Sequence, residues 1–247
     1  MPSLIAIDGL PLIEPGMCLG DLLADAFDWQ DGDIVVIAQK IVSKAEGRWV
    51  RLDDVDPSPR AAELARITDK DPRMVELVLR ESREVLRARP GVLIVEDVRG
   101  FICANAGIDR SNVQQDGAGE RVLLLPENPD RSADEIRRQI EARTGRHVAV
   151  IVNDSHGRAF REGTVGVAIG VSGLPALWDR RGELDLTGYT LHATVIGWAD
   201  EVAAAASLLM GPAAEGVPAV AVRGLARPPG EGKARDLLRP RERDLFR

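Results

Sequence analysis

Residues 31–47 read DGDIVVIAQKIVSKAEG. The DGD tripeptide is a turn signal, and Ile34–Ala38 is a β-branched, apolar run of strand length, which predicts a buried strand. The residues just after such a strand separate the common α/β folds. A dinucleotide-binding unit turns through GxGxxG and a P-loop through GxxxxGK[ST], and neither pattern occurs in the chain. Two lysines, Lys40 and Lys44, stand there instead.

On either side, short apolar runs alternate irregularly with helical patterns. Ser3–Ile7 reads as a strand, residues 8–16 (DGLPLIEPG) as a turn, and about Leu19–Phe27 as a helix. Residues 58–89 carry helix-period leucines among many charges, which predicts two helices split near Asp71-Pro72. GVLIVED (91–97) and GFICANAG (100–107) read as two strands joined by a turn, and RVLLLP (121–126) as another. DRSADEIRRQIEARTG (130–145) predicts a helix with Ser132 as N-cap, Glu135 at capping-box spacing and Gly145 as its stop. HVAVIVND (147–154) is a strand ending in polar residues, and GTVGVAIGVSG (163–173) is strand-like but punctuated by glycine. HATVIGWADEVAAAASLLMG (192–211) gives a strand and then an alanine-rich amphipathic helix, and VPAVAVRGL (217–225) a final strand. Residues 226–247 are rich in proline and charge and predict a tail laid on the surface. Without clean βαβ spacing, the expectation is a mixed-sheet α/β or α+β enzyme rather than a Rossmann or P-loop fold.

Composition narrows the function. At 247 residues the chain has length for a sizeable core in one or two domains. Aromatics are only 4%, so Val, Ile, Leu and Ala must fill that core. A net charge of −7 argues against general nucleic-acid binding, yet leaves room for an anionic small ligand in a local basic pocket. Cys18 and Cys103 have neither metal-ligand spacing nor a disulfide framework. No apolar run approaches the roughly 20 residues that span a bilayer, and no secretory signal opens the chain, so a cytoplasmic protein is the expectation.

Three polar clusters sit at the ends of predicted strands, where ligands bind in α/β proteins. Lys40 and Lys44, four apart, suit phosphate as point charges, and equally suit a solvated face. CANAGIDRSN (103–112) breaks a hydrophobic segment with Asn105, Gly107, Asp109, Ser111 and Asn112 in short order. Asp109 and Asn112, three apart, can point the same way and offer a carboxylate for a hard cation; an Asx turn accounts for the same residues. In VIVNDSHGRAFREG (150–163), Asp154 and Ser155 end an apolar strand, a pairing that can hold Mg²⁺ beside a phosphate. Arg158 and Arg161 add positive charge, and His156 is a ligand, a general base or neither.

Taken together, GLPLIEPG (9–16), DGDIVVIAQKIVSKAEGR (31–48), NAGIDRSNV (105–113), LLPENPD (124–130), VIVNDSHGRAFREG (150–163), VAIGVSGL (167–174), ADEVAAAASLLMG (199–211), PAVAVRGL (218–225) and ARDLLRPRERDLFR (234–247) resemble the coenzyme F(420)-0:γ-glutamyl ligase family over nearly the whole chain. Each segment is weak alone; their joint order and spacing is specific. The resemblance implies a single ligase unit, residues 1–247, of two interwoven α/β subdomains, working as a homodimer. It implies joining of L-glutamate to the carboxylate of the deazaflavin precursor F(420)-0, in some members with addition of further γ-linked glutamates. GTP is the co-substrate, with two Mn²⁺ or Mg²⁺ ions and K⁺ as activator. The family's catalytic and metal-binding aspartates fall on Asp109 and Asp154, and its hydroxyl ligand on Ser155. Its nucleotide contacts fall on Leu10, Pro11, Leu12, Ile13, Gln39, Lys40, Lys44, Asn112 and a loop that includes Met210, Gly211 and Gly216.

The chain departs from the family pattern at three positions. Pro212 stands where a ligand to the second metal is usual, which leaves Glu215 or water to complete the shell. His156 and Thr164 replace an apolar residue and a glutamine. The competing readings are an NTP-dependent acid–amine ligase with a different carboxylate substrate, and a nucleotide-binding homologue without catalysis.

Overall fold

A computed structural model of the chain describes residues 1–113, 115, 117 and 119–244. Its elements run β1 (Ser3–Ala6), α1 (Leu19–Ala26), β2 (Ile34–Ala38), α2 (Gln39–Ala45), β3 (Trp49–Arg51), α3 (Pro59–Thr68), α4 (Pro72–Arg80), β4 (Ser82–Arg89), β5 (Val92–Asp97) and β6 (Ile102–Ala104). They continue with β7 (Arg121–Leu123), α5 (Pro129–Thr144), β8 (Ala149–Arg158), β9 (Arg161–Ser172), β10 (Trp178–Asp179), β11 (Val195–Ile196), α6 (Trp198–Met210) and β12 (Ala219–Arg223).

The main sheet has the order β1-β12-β2-β8-β9, and β2 and β8 are its parallel pair. Ile34–Ile37 and Ala149–Val152 are fully buried, as expected of central strands covered on both faces. α1, α5 and α6 supply Leu19, Leu23, Ile136, Ile140, Val202 and Ala206 to the same core. Gly170 admits the start of α5: a Cβ there would stand 2.3 Å from the Pro129 carbonyl oxygen. A second hydrophobic cluster has its buried residues between Leu52 and Leu124 and is built from α3, α4, β5 and β4, with β6 completing the antiparallel sheet β4-β5-β6. β3 and β7 form a short ladder, as do β10 and β11. The architecture is α+β with open, mixed sheets, neither Rossmann nor P-loop.

Three local expectations need correction. Residues 82–89 form β4, not the end of a helix, because pairing with β5 overrides a helix-compatible charge pattern. The N-cap of α5 is Asn128, whose side chain accepts from Arg131 N–H, with Pro129 in the first helical position; Ser132 lies inside the first turn. Gly145 does end that helix, in the left-handed conformation. β8 does not stop at Asp154 but continues to Arg158, paired to β9 through Arg158–Arg161. Burial ends at Asp154 while the backbone ladder runs on into solvent, so side-chain polarity marks the edge of the core rather than the strand's end.

The segment after residue 225 is anchored at several points. Ala234 is buried, Lys233 Nζ pairs with Asp134 at 2.7 Å, and Arg241 reaches Glu84 at 2.8 Å. Residues 245–247 of the expected surface tail lie outside the described residues.

Candidate active site

β2 and β8 run parallel with Ala38 opposite Asn153, so α2 and Asp154 emerge at the same, C-terminal end of two neighbouring strands. That end is the usual ligand position in open α/β sheets. Gln39 and Lys40 open α2, and Lys44 stands one turn later on the Lys40 side. Asp109 comes to them from the other core. Its backbone exchanges two hydrogen bonds with Leu123, at 2.9 and 3.0 Å, an antiparallel bridge on the edge of β7 opposite β3.

The Asp109 carboxylate is held from both sides. Lys40 Nζ lies 3.0 Å from Oδ1, and Gln39 Nε2 donates to Oδ2. Ser43 Oγ donates to Gln39 Oε1 at 3.0 Å, which fixes the amide so that its NH₂ faces the acid. Burial raises the Asp109 pKa, Lys40 opposes that shift, and the charge of Asp154 adds to it. The two acids therefore feel each other across the site.

Asp154 has a different partner. His156 Nε2 lies 2.9 Å from Asp154 Oδ2, two residues along the same face of β8, and Ser155 N–H donates to Oδ1 at 2.8 Å. Burial pushes the Asp154 carboxyl up, but His156, the Ser155 N–H and Lys40 together pull it down, and the net shift is downward. Burial likewise works against the His156 cation, and Asp154 more than restores it, so the imidazole sits above its ordinary value. The Ser155 side chain is exposed and, by strand alternation, lies on the face opposite Asp154.

A second group of expected residues meets nearby. Asn112, at φ +56, donates from Nδ2 to Ala213 O at 3.0 Å, and so joins the 105–113 segment to the loop after α6. Glu215 closes that loop by accepting from Ala213 N–H at 2.8 Å. Gly211 and Gly216 turn it with φ of +63 and +71. Met210 is buried at the helix end, where its Sδ accepts from Asn153 Nδ2 at 3.4 Å. Lys44 is half-buried beside Trp49, with Nζ 5.9 Å from the ring centroid; burial and then Lys40 lower its pKa.

Leu10–Ile13 lie on a separate segment, which docks on the end of α2 through Gly16 N–H to Ala45 O at 2.8 Å. Within it Ile13 is buried, while Pro11 and Leu12 are exposed and Leu10 is half-buried. No hydrogen bond or ion pair among the described residues joins this segment to the Asp109 cluster. Sequence reasoning missed His156 as the partner of Asp154, Ser43 as the orienter of Gln39, and Glu215 as the loop closure. The two-residue spacing of Asp154 and His156 on a strand was the available signal for the first.

The donor set suits a hard cation only in part. Among the described residues no group of three or more His, Cys, Asp and Glu stands close enough to hold an ion. A buried carboxylate, Asp154, and a half-buried one, Asp109, fit the habit of Mg²⁺, which takes one or two carboxylates and completes its shell from water and substrate phosphate.

The sequence model of the F(420)-0:gamma-glutamyl ligase family matches residues 9–224. The chain belongs to that family. It is 50% identical to the coenzyme F(420):L-glutamate ligase of Methanothermobacter thermautotrophicus, over 99% of this chain and 98% of that protein. Identity to the ligases of the same name from Methanocaldococcus jannaschii and Methanopyrus kandleri is 47% in each case, over 96% and 100% of this chain and 94% and 99% of theirs. In this F(420)-0:gamma-glutamyl ligase family member, Asp109, Asp154, Lys40, Gln39 and Lys44 stand at one end of the central strands. No helix among the described residues is long and apolar enough to cross a membrane.

Proposed function

We propose that this chain is a GTP- and divalent-metal-dependent ligase that forms an amide between L-glutamate and the carboxylate of F(420)-0, with repeated addition of γ-linked glutamate as an extension of the same reaction. The observation that carries the reading is the placing of two acids at the C-terminal end of the parallel strands β2 and β8, Asp109 paired with Lys40 and Asp154 with His156. The family membership and the names of its relatives supply the substrates.

A carboxylate is a poor acylating agent. Transfer of the γ-phosphoryl group of GTP to the acceptor carboxylate makes an acyl phosphate. The glutamate amine then attacks the carbonyl, and the C–O bond to phosphate breaks. Lys40 and Lys44 hold the polyphosphate as point charges. Gln39 keeps Asp109 in place while Lys40 turns from the acid to the nucleotide. Asn112 fixes the loop after α6 against the nucleotide. Asp109 and Asp154 are the residues that would hold one or two Mn²⁺ or Mg²⁺ ions, which neutralise charge on the transferring phosphoryl group. Ser155 contributes through its backbone N–H, which orients the Asp154 carboxylate. K⁺ activation, a homodimer and a cytoplasmic location belong to the same proposal, on the strength of the resemblance.

The test is a mass-spectrometric assay with F(420)-0, GTP, Mn²⁺ and L-glutamate. Product heavier by one or more glutamyl residues supports the reading. Glutamate transfer only to another carboxylate would replace the acceptor, and no GTP turnover with any acid would leave a nucleotide-binding homologue.

A further inference from the structure

The His156 side chain has one hydrogen-bonding partner among the described residues, the carboxylate of Asp154. Side-chain exposures of 12% for His156 and 10% for Asp154 leave the pair at the margin of the core, within reach of solvent. Both backbones are fixed. Asp154 pairs with Val167 and His156 with Val165 in the regular part of the β8-β9 ladder, so the two side chains leave one face of a rigid strand. Phe101 meets the imidazole edge-on, with ring centroids 6.3 Å apart and planes at 71°, which limits its rotation.

The 2.9 Å between His156 Nε2 and Asp154 Oδ2 suits a hydrogen bond and equally suits two neighbouring ligands on one ion. Bonds of ~2.1 Å at right angles on an octahedral cation set their donors roughly 3.0 Å apart. His156 Nδ1 has no hydrogen-bond partner among the described residues, so the neutral ring can carry its proton there and turn the Nε2 lone pair toward the acid. A cation between the two makes that arrangement favourable. The other acids whose charge reaches the imidazole, Asp97 and Asp200, are engaged elsewhere. Asp97 pairs with Arg99 at 3.0 Å, and Asp200 accepts from Ala168 N–H at 2.8 Å. The donor pair is therefore one oxygen and one nitrogen.

We propose that His156 is a nitrogen ligand to the cation held at Asp154, and that it makes this site select first-row transition ions over Mg²⁺. The proposal rests on the reading above that places a cation at Asp154. Mg²⁺ takes oxygen donors, whereas imidazole is a common ligand to transition ions. Mn²⁺ binds most weakly of that series and is the most demanding probe of the preference. Water and nucleotide phosphate supply the rest of the shell, which two side chains cannot fill.

The experiment uses the full-length protein, free of nucleotide, with Mn²⁺ and Mg²⁺ alone as probes. Pulsed electron paramagnetic resonance of the Mn²⁺-loaded protein is expected to show coupling to an imidazole nitrogen. His156→Gln, which still donates a hydrogen bond to Asp154, is expected to abolish the coupling while His147 and His192 remain in place. By calorimetry the same substitution is expected to weaken Mn²⁺ by about tenfold or more and to leave Mg²⁺ within about threefold. Glutamine would preserve a role confined to orienting Asp154, and the two ions would then respond alike. Absence of nitrogen coupling in the parent, coupling that persists in the variant, or a parallel change for both ions would overturn the proposal. If the variant does not fold, the spectrum of the parent decides alone. Ligation is read separately: an active ligase whose Mn²⁺ shows no nitrogen coupling refutes the role of His156 and leaves the ligase reading standing, and nitrogen coupling in a protein that ligates nothing does the reverse.

Discussion

Lys40 Nζ and Asp109 Oδ1 stand 3.0 Å apart, although the two residues belong to segments packed in different hydrophobic cores. Side-chain exposures of 27% and 20% make this an ion pair that water reaches only from one side. It links the 105–113 segment to α2 without fully offsetting the burial of the acid, and it can still be opened by a ligand.

Asp109→Asn is expected to abolish ligation while leaving the melting temperature equal to or above that of the parent. Burial raises the Asp109 pKa, so the folded state binds this proton more tightly than the unfolded chain does. Its stabilising contribution is present at low pH and is lost as pH rises through the raised pKa. Asparagine removes that loss along with the charge needed for chemistry. Thermal melts from acid to neutral pH, beside the ligation assay, check both halves; a variant that ligates like the parent contradicts the role given to Asp109.

Lys44→Ala is expected to raise the KM for GTP at least tenfold and to leave that for glutamate within about threefold. The ammonium is half-buried and already opposed by Lys40, so the site holds two like charges that only an anion reconciles. Lys44→Arg, which keeps the charge, should recover part of the loss. Steady-state kinetics with each substrate varied in turn decides it, and equal effects on both constants would return Lys44 to a packing role against Trp49.

Asn112→Ala removes the 3.0 Å bond to Ala213 O that ties the loop after α6 to the 105–113 segment. Asn112 is exposed, so melting should move little, whereas GTP affinity should fall several-fold as the loop loosens. Nucleotide titration monitored by fluorescence separates these effects. A large drop in melting temperature with unchanged affinity would place the bond in the fold rather than in the site.

Pro212→Glu is expected to lower the Mn²⁺ concentration that gives half-maximal ligation. Glu215 is already engaged at Ala213 N–H, so it does not stand free to supply the missing carboxylate. Pro212 is exposed and past the end of α6, where a change of residue disturbs little. Identical Mn²⁺ dependence in variant and parent would mean that water or Glu215 completes the shell.

The buried centre of the molecule was legible because it is periodic. Ile34–Ala38 and the apolar half of β8 announce themselves by composition, and Gly145 and Gly211 mark helix ends by their freedom at positive φ. β4 was hidden because SREVLRAR has no alternation strong enough to outvote its charges; only β5 beside it makes it a strand. Of the site, the acids and lysines at strand ends could be picked out by type and position. The two-residue spacing of Asp154 and His156 becomes a pairing only once β8 is known to run past its apolar part, and the polar sequence after Asp154 hides that continuation. The turn at Asn105 and Ala106 was only half legible: asparagine tolerates a left-handed backbone, but nothing in the local sequence announces that Ala106 shares it.

The central claim is that Asp109 and Asp154 serve activation of a carboxylate by phosphoryl transfer. The most direct measurement supplies F(420)-0 whose acceptor carboxylate carries heavy oxygen, with GTP, Mn²⁺ and L-glutamate, and weighs the inorganic phosphate released. If the carboxylate attacks the γ-phosphorus and later leaves an oxygen with it, each product molecule is matched by one phosphate bearing a single heavy oxygen. Product formed alongside wholly unlabelled phosphate would contradict the account, because the phosphoryl group would then have gone to water and never to the acid.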